Sequence, residues 1–158
     1  MRKDLISQCG QLLIEKRLTI AFAESATAGR LASEFSMVTD AGKFLIGGVV
    51  CYDARLKETL LNVPAKEIKQ FTPESPEVTR SITLGVSKLI DADIFIGVTG
   101  LTCPGGSENP EKPVGTIFIH AVRNDKQLFA SRVLFSGSQE AIVTATVDYI
   151  AQKLISIL

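Results

Sequence analysis

The stretch Thr19-Ile20-Ala21-Phe22-Ala23-Glu24-Ser25-Ala26-Thr27-Ala28-Gly29 decides how the rest of the chain is read. Its first five residues are β-branched or apolar and read as a short buried strand, while the remainder is small and polar. A second helix follows, carrying Leu31, Ala32 and Phe35. Strand, tight turn and helix form one unit of an α/β fold, and the flanking sequence repeats the alternation. Upstream, residues 3–17 place Leu5, Cys9, Leu12 and Leu13 at helical spacing. Downstream, Lys43 to Tyr52 is almost continuously apolar around Gly47-Gly48, which predicts an interior strand covered by helices on both faces.

Asp53 is placed to cap a helix from Ala54 to about Leu61, and Pro64 to open a short helical turn to Gln70. Ser75-Pro76-Glu77 is a strong helix start: a capping hydroxyl, proline at the first position, then an acid on the dipole. Val78, Ile82, Val86, Leu89 and Ile90 give that helix its expected buried face. Ile94 to Val98 reads as a third buried strand, followed by a proline- and glycine-rich loop that runs to Pro113. Loops of that length in compact domains are often functional. Val114 to Arg123 and Gln127 to Phe135 flank the turn Asn124-Asp125-Lys126 and predict an antiparallel hairpin. Ser138 is placed to cap the last helix, with Val143, Val147, Ile150, Ala151 and Leu154 on one face. The fold expected is α/β: a three-layer α/β/α sandwich with a mixed, about five-stranded sheet, as one domain over residues 1–158.

Composition narrows the function. The 158 residues are 46% hydrophobic and 22% charged, and 17 basic residues balance 17 acidic ones. A net charge of zero argues against a general nucleic-acid binder, which carries a basic excess. The first residues are too polar for a signal peptide and no apolar run approaches ~18 residues, so a cytoplasmic protein without membrane contact is expected. Cys9, Cys51 and Cys103 are widely spaced, and His120 is the single histidine. Neither a metal site nor a disulfide framework is suggested, and no cofactor is called for.

Three junctions fall where a parallel sheet binds ligands, beyond the carboxyl ends of its strands: Ala23-Glu24-Ser25, Cys51-Tyr52-Asp53 and Val98-Thr99-Gly100. Ser25, between strand and helix, reads as an exposed nucleophile beside helix amides or as a simple helix cap shared with Thr27. Lys57 reads alone as a solvated lysine, Tyr52 as a core tyrosine with its hydroxyl at the rim, and His120 as a packed histidine. The glycine-rich loop from Gly100 to Gly106 matches no Walker or dinucleotide spacing.

Taken together, the blocks Ala23-Glu24-Ser25-Ala26-Thr27-Ala28-Gly29, Gly47-Gly48-Val49-Val50-Cys51-Tyr52-Asp53 with Lys57, Gly97-Val98-Thr99-Gly100, Pro104-Gly105-Gly106 and Lys112-Pro113-Val114-Gly115-Thr116 resemble the CinA C-terminal domain family. That family includes bacterial nicotinamide mononucleotide deamidases. The resemblance runs from about Leu12 to Leu154, and the additional N-terminal domain of larger relatives is not expected here. It implies a serine amidohydrolase that converts nicotinamide mononucleotide to nicotinic acid mononucleotide and ammonia. Ser25 would be the nucleophile, assisted by Tyr52 and Lys57, with Thr27, Gly29, Thr99, Gly100, Gly105 and Gly106 binding substrate. Lysine can replace histidine as base for a serine provided its pKa falls from about 10.4. The substrate's phosphate would favour loop amides or a cationic side chain.

The chain departs from the family at several points. Ala26 and Ala28 stand where relatives have Cys and Gly, and Cys103 stands where a small residue is usual. The two arginines that relatives carry after the last strand are absent from Gly137-Ser138-Gln139-Glu140 and from Ile142-Val143. Two functional classes therefore follow: an amidohydrolase acting on a small-molecule nucleotide, or a paralogue that binds a nucleotide or acts on another amide. Neither reading needs nucleic acid or membrane, and the apolar content is compatible with a homo-oligomer.

Overall fold

A computed structural model describes residues 2–158, with side chains from Asp4 onward; Met1 of the expected domain lies outside it. The chain runs α1 (Arg2–Glu15), β1 (Ile20–Glu24), α2 (Arg30–Ser36), a 3-10 turn (Ala41–Lys43), β2 (Leu45–Val50), α3 (Ala54–Thr59), α4 (Ala65–Phe71), α5 (Pro76–Leu89), β3 (Ile94–Gly100), β4 (Thr116–Arg123), β5 (Lys126–Leu134) and α6 (Gln139–Ile157). The five strands form one sheet in the order β2-β1-β3-β4-β5. β1 pairs in parallel with β2 and with β3, while β3–β4 and β4–β5 are antiparallel. Helices cover both faces, so the mixed three-layer α/β architecture expected from the alternation is the one observed.

Strand alternation divides the core. In β1, Ile20 and Phe22 join the larger cluster with Leu13, Leu31, Phe35 and Leu154, on the side of α1, α2 and α6. Ala21 and Ala23 join the smaller cluster with Val78, Ile82, Val86 and Phe95, on the side of α5. The period of two that sends successive side chains to opposite faces is what lets one five-residue strand anchor both layers.

Asp53 and Ser75 cap as their positions predict: the Asp53 carboxylate accepts from the Arg55 N–H at 2.8 Å and Ser75 Oγ from the Val78 N–H at 3.2 Å. Ser138 does the same for α6, accepting from the Ala141 N–H at 3.1 Å. The turn at Asn124 and Asp125 is also as expected, both residues taking positive φ, 52° and 60°.

Three expectations are corrected. β2 is an edge strand, not an interior one, and is shorter than Lys43 to Tyr52. Its residues alternate between half-buried and exposed, leaving Val50 47% exposed. An apolar run does not distinguish a covered strand from an edge whose outer face remains apolar. Leu89 is exposed, because the buried face of α5 is made of Val78, Thr79, Ile82, Thr83, Gly85 and Val86 and has rotated past it. In α6 the deep positions near the start are Ile142 and Thr146, with Val143 half-buried.

Gly97 explains how closely α5 lies on the sheet. A Cβ at this position would sit 2.1 Å from Thr83 Oγ1 and 2.9 Å from the Thr79 carbonyl oxygen. Gly97→Ala should therefore cost about 2–3 kcal/mol by forcing helix and strand apart. Chemical denaturation checks this, with Thr83→Ala in the same chain recovering part of the loss.

Candidate active site

The alternation of β1 continues past its end and gives two adjacent residues opposite destinations. Glu24 follows Ile20 and Phe22 toward α2, and Ser25 follows Ala21 and Ala23 toward α3 and α5. The ladder also continues beyond the strand ends: the Ser25 N–H donates to the Val98 carbonyl at 3.0 Å and the Cys51 N–H to the Glu24 carbonyl at 2.8 Å. Ser25 and the Cys51-Tyr52 peptide are thereby held side by side.

Lys57 reaches this point from α3. It lies one turn into the helix that Asp53 caps, and side chains on a helix lean back toward its N-terminus. Its Nζ donates to Ser25 Oγ at 2.9 Å, to the Cys51 carbonyl at 2.7 Å and to the Tyr52 carbonyl at 3.3 Å. Lys57 is 1% exposed, and burial pushes its pKa down, opposed by the nearby acidic groups Cys51, Glu74 and Asp53. Three donors meet three acceptors. When the ammonium loses one proton, the two carbonyls retain the remaining N–H groups and the lone pair points at Ser25. The carbonyls thus fix the orientation of the Lys57 nitrogen.

Glu24 does the corresponding work for the turn that carries Ser25. It is 1% exposed, and its Oε1 accepts from Thr27 Oγ1 and from the Leu31 N–H, each at 2.7 Å. Its Oε2 accepts from the Ala32 N–H at 3.2 Å. Gly29, the N-cap of α2, supplies no side chain, so the carboxylate of the preceding strand caps this helix instead. Burial still raises the Glu24 pKa, against the pull of Thr27 and the helix amides. The turn also holds Ala28 at φ 47°, a left-handed conformation disfavoured for any residue with a Cβ.

Ser25 opens on a cleft of about 320 Å³ whose walls include Ala26, Tyr52, Glu74, Gly100, Thr102, Gly105 and Gly106. Across Ala26 and Tyr52 it adjoins a shallower groove of about 730 Å³, bounded by Thr27, Gly29, Arg30, Gln139 and Glu140. Among the expected residues, Ser25, Tyr52, Gly100, Gly105 and Gly106 therefore share the cleft, with Lys57 bonded behind Ser25. Thr27 and Gly29 border the groove, and the Thr27 hydroxyl is already committed to Glu24.

Two placements differ from expectation. Thr99 is fully buried, and its hydroxyl pairs with Thr79 Oγ1 at 2.8 Å instead of facing the cleft. It shares the α5 side of β3 with Phe95 and Gly97, as a period of two requires. Tyr52 is no core residue: it is 58% exposed, because the edge strand before it leaves nothing to cover the ring. Its contact with Lys57 is made by its main chain. His120 is buried and remote from the cleft, its pKa lowered by burial and then by Arg80.

Reading the residues alone missed the clamping role of Glu24, the charge of Glu74 in the cleft, and Glu108. An acid inside an otherwise apolar strand, just before a helix lacking a capping side chain, was the available signal for Glu24. Nothing in the sequence singled out the other two. Among the described residues no group of three or more His, Cys, Asp or Glu is arranged to hold a metal. No described helix is long and apolar enough to cross a membrane.

Glu24→Ala would leave the Leu31 and Ala32 amides buried without an acceptor. The expected loss is about 3 kcal/mol in thermal or chemical denaturation. Glu24→Gln, which keeps one acceptor oxygen, should lose less.

The profile of the CinA C-terminal domain matches residues 2–158. A CinA-like protein of Desulfotalea psychrophila is 35% identical over 141 residues, 89% of this chain and 34% of that protein. A CinA-like protein of Thermotoga maritima is 37% identical over 134 residues, 85% of this chain and 32% of that protein. The chain thus spans about a third of the length of these curated relatives. The crystal structure of a competence-damaged protein (CinA) superfamily protein from Escherichia coli superposes with a TM-score of 0.92 at 27% identity, covering 100% of this chain and 91% of that one. A competence damage-inducible protein from Klebsiella pneumoniae gives 0.92 at 27% identity, covering 98% and 95%. With its fold, its strand-end blocks and nearly its whole length accounted for, the chain belongs to the CinA C-terminal domain family.

Proposed function

We propose that this protein is a serine–lysine amidohydrolase that releases ammonia from the carboxamide of a nicotinamide compound, nicotinamide mononucleotide being the substrate that family resemblance carries over. One observation carries the reading: a buried lysine nitrogen lies 2.9 Å from a serine hydroxyl at the mouth of a cleft, with its other donors fixed on two carbonyls. A lysine kept only for stability would gain more by pointing into water.

In this mechanism neutral Lys57 takes the Ser25 proton as Oγ attacks the carboxamide carbon. The Ala26 and Thr27 amides follow the nucleophile in the turn and have no acceptor within the described residues, so they are available to the tetrahedral oxyanion. Lys57 then returns the proton to the leaving nitrogen, giving ammonia and a Ser25 ester. Water attacks the ester with Lys57 again as base, releasing the acid and free Ser25. The exposed Tyr52 ring, bordering both cleft and groove, is placed to pack on the pyridine ring.

The runner-up reading is a cleft that binds without turnover or acts on a different amide. It is favoured by the missing arginines and by Glu108, whose carboxylate already occupies the amides of Gly105 and Gly106 at 2.8 Å each.

Ammonia release from nicotinamide mononucleotide and from the riboside separates the two. Ser25→Ala and Lys57→Ala should each lower turnover by about a thousandfold or more, and the double variant should be little worse than either. Lys57→Arg should not rescue, since a guanidinium does not give up its proton at working pH. The wild-type rate should rise with pH and level off below the ordinary lysine range, because burial lowers the Lys57 pKa and the base form is the active one. A folded Lys57→Ala protein with near wild-type turnover would sink the mechanism.

A further inference from the structure

We infer that the cleft selects a cationic carboxamide that carries no phosphate, and that Glu108 is the residue enforcing this choice. The inference rests on the amidohydrolase reading and replaces the mononucleotide carried over from the family with a ligand lacking its phosphate.

Gly105 and Gly106 present consecutive N–H groups in the cleft wall, Gly105 at φ 103°. The first donates to Glu108 Oε1 and the second to Glu108 Oε2, each at 2.8 Å. Successive amides converging on one carboxylate make an anion nest, the arrangement that otherwise receives a phosphate. Here an anion of the chain itself fills it. The same amides hold the Glu108 carboxyl below its ordinary pKa, so it stays charged at neutral pH.

The cations near this charge lie outside the cleft or are paired with acids. Among the described residues no lysine or arginine lines the cleft. Lys112 does not line the cleft but lies behind its wall beside Glu74, its Nζ donating to Thr72 Oγ1 at 2.7 Å and to the Glu74 carbonyl and Ser107 Oγ at 2.8 Å. In the adjoining groove Arg30 is bound by Glu34 at 2.8 Å and by Glu140 at 2.5 Å. Positions 137–143 carry no arginine. A phosphate would therefore find the Gly105 and Gly106 amides taken by Glu108 and an acid, Glu74, in the wall, with no cation lining the cleft among the described residues.

A fixed positive charge on the ligand meets the opposite situation. Among the described residues Glu74 is the one charged residue lining the cleft, and its Oε2 accepts from Ser107 Oγ at 2.5 Å. An N-ribosylated pyridinium carboxamide brings such a charge together with the amide Ser25 needs. It also assists the base: Glu74 holds the proton on Lys57, and a cation beside Glu74 weakens that hold.

The test is calorimetric binding of nicotinamide riboside, nicotinamide mononucleotide and uncharged nicotinamide to the Ser25→Ala protein, with ammonia release by the wild type on the same three. The riboside should bind at least about tenfold more tightly than the mononucleotide, because like charges brought together strongly disfavour the latter. Glu108→Gln and Glu108→Ala should each narrow that ratio by about fivefold or more. Glu74→Gln, which keeps the acceptor for Ser107, should narrow the preference for riboside over nicotinamide by about fivefold. Equal or tighter binding of the mononucleotide, a ratio unmoved by both Glu108 variants, or no binding of the riboside overturns the inference. Ranked binding without ammonia from any ligand refutes the amidohydrolase reading and leaves the selectivity standing. Faster ammonia release from the mononucleotide than from the riboside does the reverse.

Discussion

Taking a lysine ammonium out of water costs several kcal/mol unless acceptors replace the lost hydration, and Lys57 finds three: Ser25 Oγ and the carbonyls of Cys51 and Tyr52. Those acceptors exist together only because β1 and β2 are parallel neighbours ending at the same level. The Cys51 N–H to Glu24 carbonyl bond keeps the two chain ends from separating. The Asp53 cap then turns α3 back so that its fourth residue overhangs both ends. Without this ladder the nitrogen would lose its orientation before it lost its burial.

The other buried ionisable group at this sheet end, Glu24, faces the opposite layer and has a separate task. Its donors are a threonine of the turn and the first amides of α2, so it fixes the segment from Ser25 to Ala28 between a strand and a helix. The strained Ala28 is tolerated because both ends of that segment are determined by hydrogen bonds. Glu24 therefore fixes the turn that carries Ser25, Lys57 bonds the Ser25 hydroxyl, and the one-residue step from Glu24 to Ser25 keeps the two charges on opposite faces of the sheet.

Much of this was legible in sequence where local chemistry is strong. Ser75-Pro76, Ser138 and Asn124-Asp125 set their elements because capping and turn preferences act over three or four residues. The apolar run around Gly47-Gly48 was misread because an edge strand retains the composition of a covered one. The inward position of Thr99 was in principle readable from the alternation Phe95, Gly97, Thr99, yet strand-end location alone suggested an open pocket. The contact between Lys57 and Ser25 was not readable from spacing at all. It depends on β1 and β2 being adjacent, which hydrophobic patterns do not specify, and only the family resemblance pointed to it.

On the amidohydrolase reading, catalysis and recognition fall on different kinds of structure in this domain. Ser25 and Lys57 are buried and tied to strand ends, so altering either disturbs packing as well as chemistry. Glu74, Glu108, Arg30 and Glu140 sit on connecting segments and helix starts, where substitution leaves the sheet untouched. Substitutions there can thus change the charge around the cleft while leaving the Ser25–Lys57 contact in place. Here the acidic cleft wall and the absent arginines lie beside an intact Ser25–Lys57 contact. A site that had abandoned chemistry would be under no pressure to keep an ammonium buried, since the same volume filled with apolar atoms is often no less stable. The buried Ser25–Lys57 contact beside an acidic cleft wall is the arrangement expected on the amidohydrolase reading with a ligand of different charge.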